Sequence, residues 1–216
     1  MSWILRVADF FIHIDRYLGL IIAQVGGGTT SALLGVLVFV ETGLVIFPFL
    51  PGDSVMFAAG ALAAQGHLSM VGLYPALVVA AILGNTANYL FGHACRDLIK
   101  ADKEIRWIRR DHLRDAQDFY AKHGTKMVIL ARFIPVVRSF APFVAGVAEM
   151  PYMTFLWVNA VGGIIWVSLF LWGGYFFGNI AFVKEHFSVV VAAIVIVSLV
   201  PLLYEAMKRK RGKKTA

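Results

Sequence analysis

The apolar positions of this chain come in long runs, and two of those runs are broken from within. Residues 1–30 are helical in period but two-sided. Trp3, Ile4, Val7, Phe10, Phe11 and Ile14 share one face, while Arg6, Asp9, His13, Asp15 and Arg16 take the others. That spacing predicts an amphipathic helix lying in a membrane interface rather than a span. Gly26 to Thr30 (GGGTT) lacks the lysine and spacing of a phosphate-cradling loop, so it reads as a flexible connector.

The first broken run, Phe39 to Gly60, reads FVETGLVIFPFLPGDSVMFAAG. Pro48, Pro51 and Gly52 interrupt it, because an internal proline removes an amide donor and clashes with the preceding turn. A helix–break–helix hairpin entering the bilayer is predicted, with Asp53 or Ser54 capping its second half. Gln65 to Ser69 is a polar turn, and Val71 to Gly92 is long enough to span. Asn85 and Asn88 share a face of that span, where hydrogen bonds between helices are the expected use. The charged stretch 93–126 follows, with Ile105, Ile108, His112, Ala116 and Phe119 at the spacing of a surface helix. The broken pattern then returns from Met127 to Gly146, MVILARFIPVVRSFAPFVAG, interrupted by Pro135 and Pro142. Tyr152–Gly178 and residues 188–207 read as further spans, and 208–216 as a basic tail.

Composition agrees with the pattern. The chain has 216 residues, of which 59% are hydrophobic and 15% charged. Such a balance excludes an ordinary soluble domain and predicts one polytopic, all-α membrane domain, 1–216. The N-terminus shows no signal peptide. With Cys95 the single cysteine, no internal disulfide can form. The net charge of +7 does not indicate nucleic acid: of 20 Lys and Arg, nine fall between Arg96 and Lys126 and six between Lys208 and Lys214. Bases clustered beside apolar spans are what the positive-inside rule produces, which places 93–126 and the tail in the cytoplasm.

The halves 31–92 and 127–178 align at one offset. Gly60 pairs with Gly146 and Tyr89 with Tyr175, both differences being 86 (146−60 and 175−89). Given a cytoplasmic loop between them, the two hairpins open on opposite faces: an inverted repeat, as in transporters.

Four ionisable residues fall at bilayer depth: Glu41 and Asp53 in the first hairpin, Arg132 and Arg138 in the second. Each costs about 2.5–3.5 kcal/mol at a bilayer centre on insertion scales, which marks it as functional. An ion-pair cluster that only locks the hairpins together is the competing reading, but such pairs stabilise less well than apolar packing. Arg132 and Arg138 cannot share a face of a straight helix; a break at Pro135 would let them converge. Two guanidiniums suit a phosphate, whose oxygens they grip in pairs. Glu41 and Asp53 would balance them or carry protons, and Ser54 and Ser139 are secondary polar candidates. No metal cluster, cofactor motif or nucleophile–base pair is evident, so an enzyme such as a lipid phosphatase is disfavoured: His67 and His93 lie at span ends.

The motifs F-x-E-x-G-x-x-x-x-P-x-L-P-G-D-S (Phe39 to Ser54) and R-F-x-P-x-x-R-S-x-x-P-x-x-A-G (Arg132 to Gly146) resemble the two signatures of the DedA family, also called VTT-domain or SNARE-associated membrane proteins. N-Y-x-x-G at 88–92 and G-Y-F-F-G at 174–178 fit as well. The resemblance implies a multi-pass protein of the bacterial inner membrane with two opposed re-entrant hairpins, working on lipids. Its implied substrate is undecaprenyl phosphate or another phospholipid such as phosphatidylethanolamine, with dependence on the proton motive force. The functional acids and arginines it implies fall on the same four residues. A proton-coupled carrier of ions or small molecules is the alternative, and a homo-oligomer is compatible with either.

Overall fold

The computed structural model describes residues 14–44, 52–100, 121–122, 124–178 and 180. Among these the chain is all-helical. Its α-helices are α1 (Ile14–Gly43), α2 (Gly52–Ala64), α3 (Met70–Lys100), α4 (Met127–Leu130), α5 (Pro135–Val147) and α6 (Tyr152–Phe177). Within α1, α3 and α6, the stretches Leu18–Gly43, Met70–Arg96 and Tyr152–Phe177 are long and apolar enough to cross a membrane. This is a membrane protein. The exposed side chains of those helices are largely apolar, with Val71, Met153, Trp157 and Phe176 among the most open, as a lipid-facing surface demands.

Several expectations change. Gly26 is not part of a flexible connector: α1 runs on through it, with a kink at φ 80° and ψ 161°. Glycine accepts that left-handed backbone, and the hydroxyls of Thr30 and Ser31 donate back to the Gly26 and Gly27 carbonyls at 2.9 Å. The span therefore begins well before residue 31, whereas an interfacial helix had been expected to fill 1–30. Residues 93–100 continue α3 instead of opening the charged loop, since nothing between Gly92 and Lys100 breaks a helix. Pro75 lies inside α3, five residues past its start, without ending it. The surface helix expected around Ile105–Phe119, the breaks at Pro48 and Pro51, the last span and the tail lie outside the described residues.

The chain forms two compact units. The first holds, of the described residues, 14–31, 52–73 and 168–178 with 180. Here α2 is buried along nearly its whole length. It ends at Gly66 (φ +84°), where His67 N–H reaches the Leu62 carbonyl and Gly66 N–H the Ala63 carbonyl, both at 3.0 Å, closing the helix with a glycine in the left-handed region. α2 packs backbone to backbone on the last part of α6: a Cβ on Gly60 would stand 2.0 Å from the Leu171 carbonyl oxygen. Gly174 faces the Phe57 carbonyl as closely, with 1.9 Å for the same hypothetical Cβ.

The second unit holds 32–44, 74–100, 121–122 and 124–167. Its core joins Met127, Ala131, Phe140, Phe143 and Val144, with Tyr89, Val128, Ala145, Met150 and Phe155 beside them. α5 lies on α3 through glycines in the same manner. Added Cβ atoms on Gly146 and Gly92 would each stand 2.1 Å from a carbonyl oxygen, that of Tyr89 and that of Phe143 respectively. Gly60 and Gly146 thus occupy matching packing roles at the expected offset of 86, although α2 and α5 are themselves displaced by 83 (135−52 and 147−64). Each 13-residue helix rests on a span from the opposite half of the sequence.

Candidate functional site

The second unit carries the ionisable residues that converge. From Gly124 to Phe133 the chain is a run of 3-10, α and 3-10 turns; it breaks at Ile134, whose φ −116° and ψ 107° are extended, and resumes as α5 at Pro135. The residue before a proline is pushed out of the helical region, and proline itself suits the first helical position. The break falls between Arg132 and Arg138, and it brings both guanidiniums onto one ring. Their central carbons stand 5.7 and 5.8 Å from the centre of the buried Trp166 indole. Pro142, expected as a second break, does not act as one: α5 continues through it. The buried packing of Phe140 to Val147 holds the turn that the missing N–H weakens. Next to it, the Ser139 carbonyl receives Asn88 Nδ2 at 2.8 Å, a bond from a neighbouring helix of the kind that sustains prolines in membrane helices.

Glu41 reaches the same place from the last turn of α1. The helices α1 and α3 approach at two glycines, a Cβ on Gly43 standing 3.3 Å from the Gly84 carbonyl oxygen, and Asn88 Nδ2 also donates to the Thr42 carbonyl at 3.2 Å. Glu41, 2% exposed, forms an ion pair with Arg138 through Oε1 and Nη2. Together Glu41, Thr42, Asn85, Arg132, Arg138, Ser139 and Trp166 line a small, partly open pocket.

Arg132 is held differently. Its Nη2 donates to the side-chain and main-chain oxygens of Asn159, at 2.6 and 3.3 Å. The same Asn159 oxygen accepts Asn85 Nδ2 at 3.0 Å, and its amide donates to the Ile82 carbonyl at 3.0 Å. Asn159, Gly162, Gly163 and Trp166 share one stripe of α6. The two glycines leave the slot the guanidinium fills: a Cβ on Gly162 would lie 3.1 Å from Arg132 Nε.

Asn85 and Asn88 thus make the interhelical bonds expected of them, and Asn85 also borders the pocket. Ser139 lines it. Asp53 and Ser54 belong to the first unit, buried in the first turn of α2, which starts at Gly52; Asp53 lies inside that turn, not at a cap before it, and suits the exposed amides there. Ser54 Oγ is buried without a hydrogen-bond partner among the described residues. Glu149, in the left-handed region at φ 56°, pairs with Arg96 at 3.4 Å.

Comparison with known proteins gives the same frame. The VTT domain matches residues 50–176. The chain belongs to the VTT-domain, or DedA, family. The DedA protein of Escherichia coli K12 is 40% identical over 218 residues, covering 100% of this chain and 99% of its own. An uncharacterised membrane protein of Mycobacterium leprae is 38% identical over 82% of this chain and 80% of its own. The inner membrane protein YghB of E. coli K12 is 32% identical over 68% of each chain. No solved structure matches the chain.

Within this DedA-family chain, sequence reasoning missed Asn159, Trp166 and Thr42. Asn159 had a visible signal: it is the one amide side chain within Tyr152–Phe177, and a lone amide in so apolar a span needs a partner. Replacing it tests its hold on Arg132. Asn159→Ala should lower stability by about 1–3 kcal/mol through the stranded donors of Asn85 and Arg132. A depressed detergent-melting temperature measures that cost.

Proposed function

We propose that this protein is a transporter that moves a phosphate-headed lipid across the bacterial inner membrane, undecaprenyl phosphate or a related phospholipid. The observation that carries the reading is the convergence of two guanidiniums, the buried one of Arg132 and the half-buried one of Arg138, on one indole ring at the edge of a pocket. Paired planar forks match phosphate oxygens, and the indole holds both cations without neutralising them. The charged and polar side chains that line the pocket suit a headgroup, with the tails left in lipid. Gly60 and Gly146, packed alike on spans of opposite halves, support two hairpins arranged as an inverted repeat that gives alternating access. Glu41 and Asp53 are the proton-coupling or charge-balancing acids, so the proton motive force would drive the cycle. The basic residues of 93–126 and the tail favour a cytoplasmic position for both. The role is transport, with no catalysis and no cofactor.

Protein reconstituted in liposomes with a fluorescent lipid phosphate should expose that lipid to an impermeant quencher. Arg132→Ala and Arg138→Ala should each stop the movement. Wild-type rates in both variants would end the proposal. The small pocket also favours a second reading, a proton-coupled carrier of a small anion; substrate-dependent proton flux without lipid movement would select it.

A further inference from the structure

The two arginines at the pocket are secured by different chemistry. Arg132, 6% exposed, is held by oxygens of Asn159 and by the Trp166 face, none of which carries a charge. Its Nε is buried without a hydrogen-bond partner among the described residues. A buried cation that lines a pocket and is held by neutral groups favours an anion there. Arg138 already holds a carboxylate, that of Glu41. Carboxylate and phosphate present a guanidinium with the same kind of oxygen edge, so they compete for it.

We infer that Glu41 is the ligand's competitor: a phosphate monoester docks first on Arg132, and gains Arg138 only by displacing the Glu41 carboxylate. The inference rests on the phosphate-headgroup reading above and assigns the order in which the site fills. Trp166 makes the exchange local, because Arg138 stays against the indole while its oxygen partner changes. Release runs in reverse, with Glu41 returning to Arg138 and expelling the headgroup. Removing the acid should therefore tighten binding while slowing transport, the opposite of what a ligand-contacting or purely structural residue would do.

The test is titration of the purified full-length protein in nanodiscs with dodecyl phosphate, and in parallel with inorganic phosphate. Glu41→Gln should bind dodecyl phosphate about tenfold more tightly than wild type, the worth of one competing charge-assisted bond. Glu41→Ala should also bind more tightly, which guards against a defect peculiar to the amide. An infrared difference spectrum of the wild type should show a carboxylate band shifting on ligand addition, and Glu41→Gln should lack it. Unchanged or weaker binding in both variants, or no carboxylate band, overturns the inference; the headgroup reading survives that result if Arg132→Ala abolishes binding. A wild type that binds neither probe overturns both. Equal affinity for the two probes, with tightening in Glu41→Gln, upholds the competition and makes the ligand a free anion instead of a lipid.

Discussion

Lysine at position 132 is expected to abolish transport almost as completely as alanine. Charge conservation is not enough there, because the guanidinium is used for its shape. Its Nη2 is committed to the two Asn159 oxygens, its plane lies near the Trp166 ring, and it fills the slot beside Gly162 and Gly163. An ammonium could satisfy Asn159 or face a phosphate, but its compact donors cannot do both in a flat slot. Losing two charge-assisted contacts to a headgroup, at about 1.5–3 kcal/mol each, removes at least roughly a hundredfold in rate. Initial flipping rates in liposomes measure it, with melting temperature as the check on folding. A lysine variant retaining more than a tenth of the wild-type rate would show that charge alone suffices.

Alanine at Gly60 or Gly146 is expected to leave little folded protein. An added Cβ would stand 2.0 Å from the Leu171 carbonyl oxygen in the first case and 2.1 Å from that of Tyr89 in the second. These neighbours are backbone atoms of a packed helix, so no side chain can turn aside. The helix pair must separate, with loss of close contact along its length. Overpacking an interior costs about 1–3 kcal/mol, and a clash on rigid backbone belongs at or above the top of that range. Gly72 is the internal control: its Cβ would meet nothing within 4 Å. Gly72→Ala should be neutral or gain up to about 1 kcal/mol from helix propensity. The fraction of monodisperse protein after detergent extraction, with melting temperature, distinguishes the three variants. Normal yield and melting of Gly60→Ala and Gly146→Ala would mean these contacts are looser than the geometry states.

Both results bear on how the helices are placed. The glycines seat α2 and α5 against the spans, and the break at Ile134–Pro135 then turns Arg132 and Arg138 toward Trp166. Position and charge are thus set by separate residues: small ones for the approach of the helices, charged ones for the lining of the pocket.

By itself the sequence determined what kind of protein this is. Runs of apolar residues cannot lie in water, and a charge inside such a run is too costly to be incidental; Glu41, Arg132 and Arg138 were recognisable on that ground alone. Pro135 announced the break, because its ring restrains Ile134 whatever lies around it. Tertiary structure decided matters that depend on neighbours. Gly26 kinks a helix where composition suggested a connector, since the Thr30 and Ser31 hydroxyls and a continuing apolar helix sustain it. Pro142 passes unbroken because buried packing and the Asn88 bond beside it support the turn. Nothing in the order of residues could reveal that Asn159 aims Arg132 while Glu41 occupies Arg138. That difference arises only when α1, α3, α5 and α6 meet, because the partner of a buried charge is chosen by the fold in three dimensions, not by distance along the chain.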